Sequence, residues 1–305
     1  MGLPKIVAVV GTNASGKSSL GVALAEKFHG EIISADSRQL YRGFDLCCGK
    51  ITETEKRGIP HHLLDIRDLG EPYSPYDFQR QTYALIPRII ERGRLPFIVG
   101  GTGNYTAAVT RGYVFTEESG GGSPAGRTPT PELPELQALL EAKLSPEELE
   151  YARGNRSDWQ NRRRLARWLE KAERGESVLP RREPKVEPLI LGVTWPKEIL
   201  DRRIEDRLNL RLEQGMLDEV QDYLAAGGSP EVLDRLGLEY RFILYYLQGR
   251  YGSLDEFRTA LGTAIKQFAK RQITYFKKLE GVRWLDMGAE PLNEAASLIS
   301  DFLKS

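Results

Sequence analysis

The chain has 305 residues, and its 43 Lys+Arg balance 43 Asp+Glu to a formal net charge of zero. With 40% apolar and 28% charged residues it can build a sizeable core, which excludes global disorder. No apolar run approaches the ~20 residues that cross a bilayer, and the two cysteines, Cys47 and Cys48, are adjacent, which excludes a disulfide framework or a four-ligand zinc site. The apolar stretch of MGLPKIVAVVG runs straight into a glycine motif, unlike a signal peptide, and the cysteine usage suits a reducing, cytoplasmic setting.

Lys5–Val10 (KIVAVV) reads as a buried strand bounded by Gly11, and Ser18–Phe28 as a helix ending at Gly30. Glu31–Ser34 is a second strand, Tyr76–Arg92 a helix, and Pro96–Val99 another strand. This alternation predicts a P-loop-type α/β fold, a doubly wound parallel sheet flanked by helices, with the first two strands as neighbours. Thr116–Pro134, rich in glycine and proline, breaks the pattern and reads as a mobile connection. Glu135–Lys143, Pro146–Arg153 and Asp158–Arg174 are helical by period. Leu189–Val193 then returns to the sheet, so 116–185 reads as a helical insertion into a core of 1–115 and 186–305. Glu198–Ala226 and Asp255–Leu279 each read as one helix, and Val282–Leu285 as a last strand.

Gly11, Thr12, Asn13, Ala14, Ser15, Gly16, Lys17 and Ser18 fit GxxxxGK[ST], placed after a strand and before a helix. Backbone N–H groups, the helix N-terminus and Lys17 suit phosphate oxygens, and the Ser18 hydroxyl suits Mg2+. A nucleotide triphosphatase also needs a strand ending in Asp; Phe97–Gly103 (FIVGGTG) ends in glycines and Thr102. Asp36, just after the second strand, can supply the carboxylate as base or metal ligand, or it caps the next turn.

Arg203 and Arg207 share a helix face, with Arg211 a turn further on. They suit either a solvated face paired with Glu205, Asp206 and Glu213 or a clamp on phosphate. Lys266, Lys270 and Lys277, with Arg271 and Lys278 adjacent, form one basic stripe, and Arg162, Arg163, Arg164 and Arg167 another. Both are candidates for nucleic-acid contact, or charged surface. His61 and His62 lack ligand spacing and read as core or site-wall residues.

GTNASGKS, ISADSRQLYRGFD, GIPHHLLDI, PFIVGGTGNY, RRRLARWLE, LGLEYR and FAKRQITYFKK occur in this order. Together they resemble the tRNA dimethylallyltransferase (tRNA isopentenyltransferase) family over about Lys5 to Asp286. The resemblance implies transfer of a dimethylallyl group from dimethylallyl diphosphate to N6 of the adenosine 3′ of the anticodon. It implies that Gly11–Ser18 holds diphosphate, that Asp36 accepts the N6 proton, that Thr102 assists, and that Arg203 and Arg207 face the diphosphate. Family segments that contact the tRNA anticodon stem-loop match Asp36, Ser37, Arg38 and Gln39; Arg163, Arg164, Leu165, Ala166 and Arg167; Gly237, Leu238, Glu239 and Tyr240; and Lys270, Arg271, Gln272 and Lys277. A monomer is expected. Trp168 replaces the family's usual small residue, and Thr12-Asn13 its usual Pro-Thr. Prenylation of a free adenine nucleotide and a small-molecule kinase are the alternatives; the former needs neither the insertion nor the basic stripe.

Overall fold

The computed structural model describes residues 2–115 and 131–305, the side chain of Ser157 excepted. Two compact units are formed, Met1–Gly112 with Pro184–Ser305, and Tyr113–Glu183. Most of the glycine- and proline-rich run, 116–130, lies outside the described residues. Its last proline, Pro134, belongs instead to the first turn of the helix Leu133–Lys143, where a missing N–H costs nothing.

In the larger unit the described strands are β1 (Lys5–Gly11), β2 (Gly30–Ser34), β3 (His61–His62), β4 (Leu95–Gly100), β5 (Glu187–Thr194) and β6 (Val282–Asp286). They make one parallel sheet in the order β3-β2-β4-β1-β5-β6. Ile6 to Val10 are wholly buried, as befits a strand covered on both faces. One expectation is corrected: β1 and β2 are not neighbours, because β4 lies between them, with Val7 opposite Phe97 and Ile32 opposite Phe97 from the other side. The helix Lys17–Lys27 is long enough to carry the chain past one place in the sheet, so adjacency in sequence does not fix adjacency in space. The edge strand β3 carries no apolar pattern. Its His62 Nε2 sits 2.7 Å from Glu31 Oε2, and Glu31 is also gripped by Arg92.

A second correction concerns the region read as a single helix, 198–226. It is two helices, Lys197–Glu213 and Met216–Ala225, broken at Gly215. Gly215 has φ +96°, and a Cβ there would stand 2.7 Å from Asp218 Oδ2, so the chain turns although the apolar period runs on. These helices pack with Pro230–Leu236, Leu238–Leu247 and Leu254–Lys277 around Ile204, Leu208, Met216, Tyr240, Phe257, Leu261 and Ile265. That core fixes the helices that reach back over the sheet.

The smaller unit has its own core of Leu136, Leu140, Ala152, Leu165, Trp168, Leu169 and Val178. Its helices Leu133–Lys143, Pro146–Gly154 and Arg162–Glu173 contribute to it. Trp168 fills this core against Tyr151, which accounts for a large residue at that place.

Candidate active site

In a parallel sheet the segments that leave the strands at their C-terminal ends converge, and ligands bind there. Here β1 leads to the loop Gly11–Ser18, β2 to Asp36, β4 to Thr102, β5 to Trp195 and β6 to Met287. The loop turns tightly, with Ala14 at φ +59° and Gly16 at φ +85°. A Cβ on Gly11 would fall 2.6 Å from Val193 Cγ2 and 2.7 Å from Ser15 Oγ, so only glycine fits where β1 ends.

Three side chains brace the loop from outside. Trp195 Nε1 donates to Ser15 O at 3.0 Å, Arg203 Nε donates to Ala14 O at 2.9 Å, and Gln272 Oε1 accepts from Asn13 N–H at 3.0 Å. The Arg203 guanidinium also stacks on the Trp195 ring, 4.9 Å from its centroid. Ser15 Oγ is buried without a hydrogen-bond partner among the described residues, which leaves the loop able to bond a further polar group.

Lys17 is 8% exposed and donates from Nζ to Thr12 O at 3.2 Å. Burial pulls its pKa down to about 8, and the nearby Asp36 carboxylate opposes that shift while Arg207 and Arg211 add to it. These four charges therefore share one electrostatic neighbourhood. Arg207 is itself held at about 10, first by burial and then by Arg211. Its Nη2 donates to Gly49 O at 3.0 Å, an oxygen that also accepts Gln39 Nε2 at 3.1 Å. Gly49 is in a left-handed turn at φ +58°, and a Cβ there would collide with both guanidiniums.

Asp36 Oδ1 accepts the Arg38 N–H at 3.0 Å, so the turn-capping role is real. Asp36 makes no other hydrogen bond among the described residues, and its second oxygen remains available. Thr102 Oγ1 accepts the Ser37 N–H at 2.9 Å, and Thr102 N donates to Ala35 O at 3.1 Å. Thus the turn after β4 fixes the segment that carries Asp36. Arg38 pairs with the buried Glu239 at 2.7 Å and lies over the Phe268 ring, which Arg271 flanks as well.

The larger unit thus brings together Gly11–Ser18, Asp36, Thr102, Arg203 and Arg207. Lys270, Arg271 and Lys277 are exposed on the helix Leu254–Lys277. Gly237 and Leu238, at φ +68° and +45°, form the tight corner before the helix Leu238–Leu247. Arg163, Arg164, Ala166 and Arg167 lie in the smaller unit, with Arg164 paired to Asp158. Four side chains expected to meet nucleic acid are buried instead, the first of them Glu239, held in its pair with Arg38. Leu165 and Tyr240 are buried in apolar cores, where a contiguous motif necessarily points some residues inward, and Gln272 is 8% exposed with both amide atoms bonded to backbone. Trp195 lies outside every motif, and Arg211 joins the site beyond Arg207. The four-residue step from Arg207 was a signal for Arg211; for Trp195 the only signal was its place just after a strand.

A phosphate loop, a buried lysine that feels the charge of a carboxylate and an arginine-rich helix define a class of enzyme that grips a phosphorylated donor and moves a group from it. The chain belongs to the IPP transferase family, whose model matches residues 39–279. It is 40% identical over 304 residues to tRNA dimethylallyltransferase 1 of Geotalea uraniireducens, covering 96% of each chain. It is 38% identical to tRNA dimethylallyltransferase 2 of Shewanella sediminis, covering 97% of this chain and 98% of that one. The full-length tRNA isopentenylpyrophosphate transferase of Bacillus halodurans superposes with a TM-score of 0.72 at 32% identity, over 98% and 97% of the two chains. A eukaryotic dimethylallyltransferase caught acting on tRNA gives a TM-score of 0.78 at 25% identity, over 99% of this chain and 80% of that one.

Proposed function

We propose that this enzyme transfers a dimethylallyl group from dimethylallyl diphosphate to N6 of the adenosine 3′ of the anticodon in tRNA, releasing diphosphate. The observation that carries the mechanism is the Asp36 carboxylate, with one oxygen free, in the same charge neighbourhood as the buried Lys17 of the phosphate loop. The adenine amine is a weak nucleophile because its lone pair is delocalised into the ring. Its N6 attacks the donor's C1 as the C1–O bond breaks, and that electron pair leaves on diphosphate. Lys17, Arg207, Arg203 and the loop N–H groups stabilise the charge that develops there. Asp36 takes the N6 proton, a transfer of the kind that contributes roughly 10²–10⁴-fold. Thr102 acts by holding Ser37, and thereby Asp36, in place.

A stacked adenine has to swing out of the anticodon loop to reach this pocket, at an unstacking cost of a few kcal/mol. The exposed cations Lys270, Arg271 and Lys277 and the arginines of the helix Arg162–Glu173 suit the backbone of the stem-loop. For Mg2+ the Ser18 hydroxyl would offer a hard oxygen beside those of the diphosphate, while the free oxygen of Asp36 serves the proton. Among the described residues no cluster of three acidic, His or Cys side chains forms a metal cage. When bound, the ion would neutralise charge on the leaving group. The chain is expected to act as a monomer in the cytoplasm; among the described residues no helix is long and apolar enough to cross a membrane.

The test is product analysis with labelled dimethylallyl diphosphate offered with either tRNA or AMP. Label in the adenosine 3′ of the anticodon supports the proposal, and label in AMP alone overturns it.

A further inference from the structure

One side chain joins the phosphate loop to the helix that carries the exposed basic stripe. Gln272 is buried, its Oε1 accepts the Asn13 N–H at 3.0 Å, and its Nε2 donates to Gly101 O at 2.9 Å. It therefore ties the segment after β1 to the segment after β4. A Cβ on Gly101 would lie 2.6 Å from Gln272 Nε2 and 3.6 Å from Lys17 Cε, so the turn at Gly101 packs closely between the amide and the loop lysine. Three residues along the same helix, the Tyr275 ring lies so close against Gly103 that no Cβ fits there. Gln272 and Tyr275 thus pin the two glycines on either side of Thr102, whose hydroxyl holds Ser37. The residues just before Gln272, Lys270 and Arg271, face solvent.

We infer that Gln272 is a positioning residue that couples the tRNA-facing helix to the diphosphate cradle, so that the two substrates bind cooperatively. The inference rests on the proposed function, because it takes the stem-loop and a diphosphate as the two ligands. Fixing the helix by stem-loop binding fixes the Asn13 N–H and Gly101 O through the Gln272 amide, and the loop then loses less freedom when diphosphate enters. Such coupling is reciprocal: the stem-loop must tighten diphosphate by the factor by which diphosphate tightens the stem-loop.

The test uses the full chain, an anticodon stem-loop RNA and inorganic diphosphate with Mg2+. In the unaltered chain each ligand should tighten the other by about fivefold or more, the low end of ordinary coupling. Gln272→Met keeps the side-chain volume and removes both hydrogen bonds. It should bring both factors to about one while stem-loop affinity without diphosphate stays within about threefold. Retained coupling in that variant overturns the inference, and so does its absence in the unaltered chain. If the variant does not fold, amide exchange in the unaltered chain decides. The segment 11–16 should exchange more slowly with the stem-loop alone, and unchanged exchange overturns the inference. If the unaltered chain binds neither ligand, the proposed function fails and this inference with it; if it binds both without coupling, only this inference fails.

Discussion

The Thr102 hydroxyl accepts the Ser37 N–H at 2.9 Å and donates to Ser37 Oγ at 3.2 Å, so the turn that ends β4 holds the segment that carries Asp36. A hydrogen bond of this kind contributes about 1 kcal/mol, and two of them bear on one segment. Thr102→Ala should lower the single-turnover rate by roughly tenfold, about 1.4 kcal/mol, with tRNA affinity little changed. Thr102→Ser keeps the hydroxyl and should restore most of the rate. Equal rates for the two variants would show that the hydroxyl does not position the base.

Lys17 gives a prediction with a sign. Its folded pKa is about 8 against an ordinary 10.5, chiefly because burial disfavours the ammonium. Below about pH 8 both folded and unfolded chains hold the proton, and the buried charge costs stability in full. Between about 8 and 10.5 the unfolded chain binds more protons, so this contribution makes stability rise with pH. A shift of this size corresponds to about 3 kcal/mol. Lys17→Met should therefore stabilise the free enzyme at neutral pH, with a smaller gain near pH 10, while weakening diphosphate binding by tenfold or more. Denaturant titrations at the two pH values, with and without diphosphate, check both parts. A variant no more stable at neutral pH and with parental diphosphate affinity would contradict the reading of Lys17.

Local chemistry in the sequence revealed five strands of the sheet, the phosphate loop and Asp36, because each rests on a short apolar run or a dense motif. What depended on three-dimensional assembly was not legible. The place of β4 between β1 and β2 follows from a crossover whose reach no periodicity records. The break at Gly215 hides inside an apolar period that continues through it. Gln272 sits within a motif rich in exposed cations, yet its helical position turns it inward onto Asn13. Trp195 has its role through Ser15, 180 residues away in sequence, and through the Arg203 guanidinium on its ring, neither of which a motif records.

Replacing Lys270, Arg271 and Lys277 together with Ala should weaken tRNA binding and flatten its salt dependence. Removing one cation–phosphate pair lowers the log–log slope by roughly 0.7–0.9. Binding isotherms across a salt series measure this. An unaltered slope would make the stripe an ordinary solvated face.

The smaller unit is a removable piece by its own chain geometry. Tyr113 pairs with Arg182, and Val114 N donates to Arg181 O at 2.9 Å, so its two ends enter and leave side by side. Joining Gly112 to Pro184 through a short linker should leave a folded core that binds diphosphate. Its tRNA affinity should fall by about tenfold or more, since the helix Arg162–Glu173 takes several arginines with it. Full tRNA affinity in a folded truncation would show that this unit is not an RNA-binding element.

The mechanism turns on Asp36 as the base, and Asp36→Asn probes it with almost no change in shape. Under single-turnover conditions, with tRNA and dimethylallyl diphosphate both saturating, tRNA binding should stay close to that of the parent. The transfer rate should fall by about 10²–10⁴-fold, the usual contribution of a positioned base. A variant that transfers the prenyl group at nearly the parental rate would contradict Asp36 as the base.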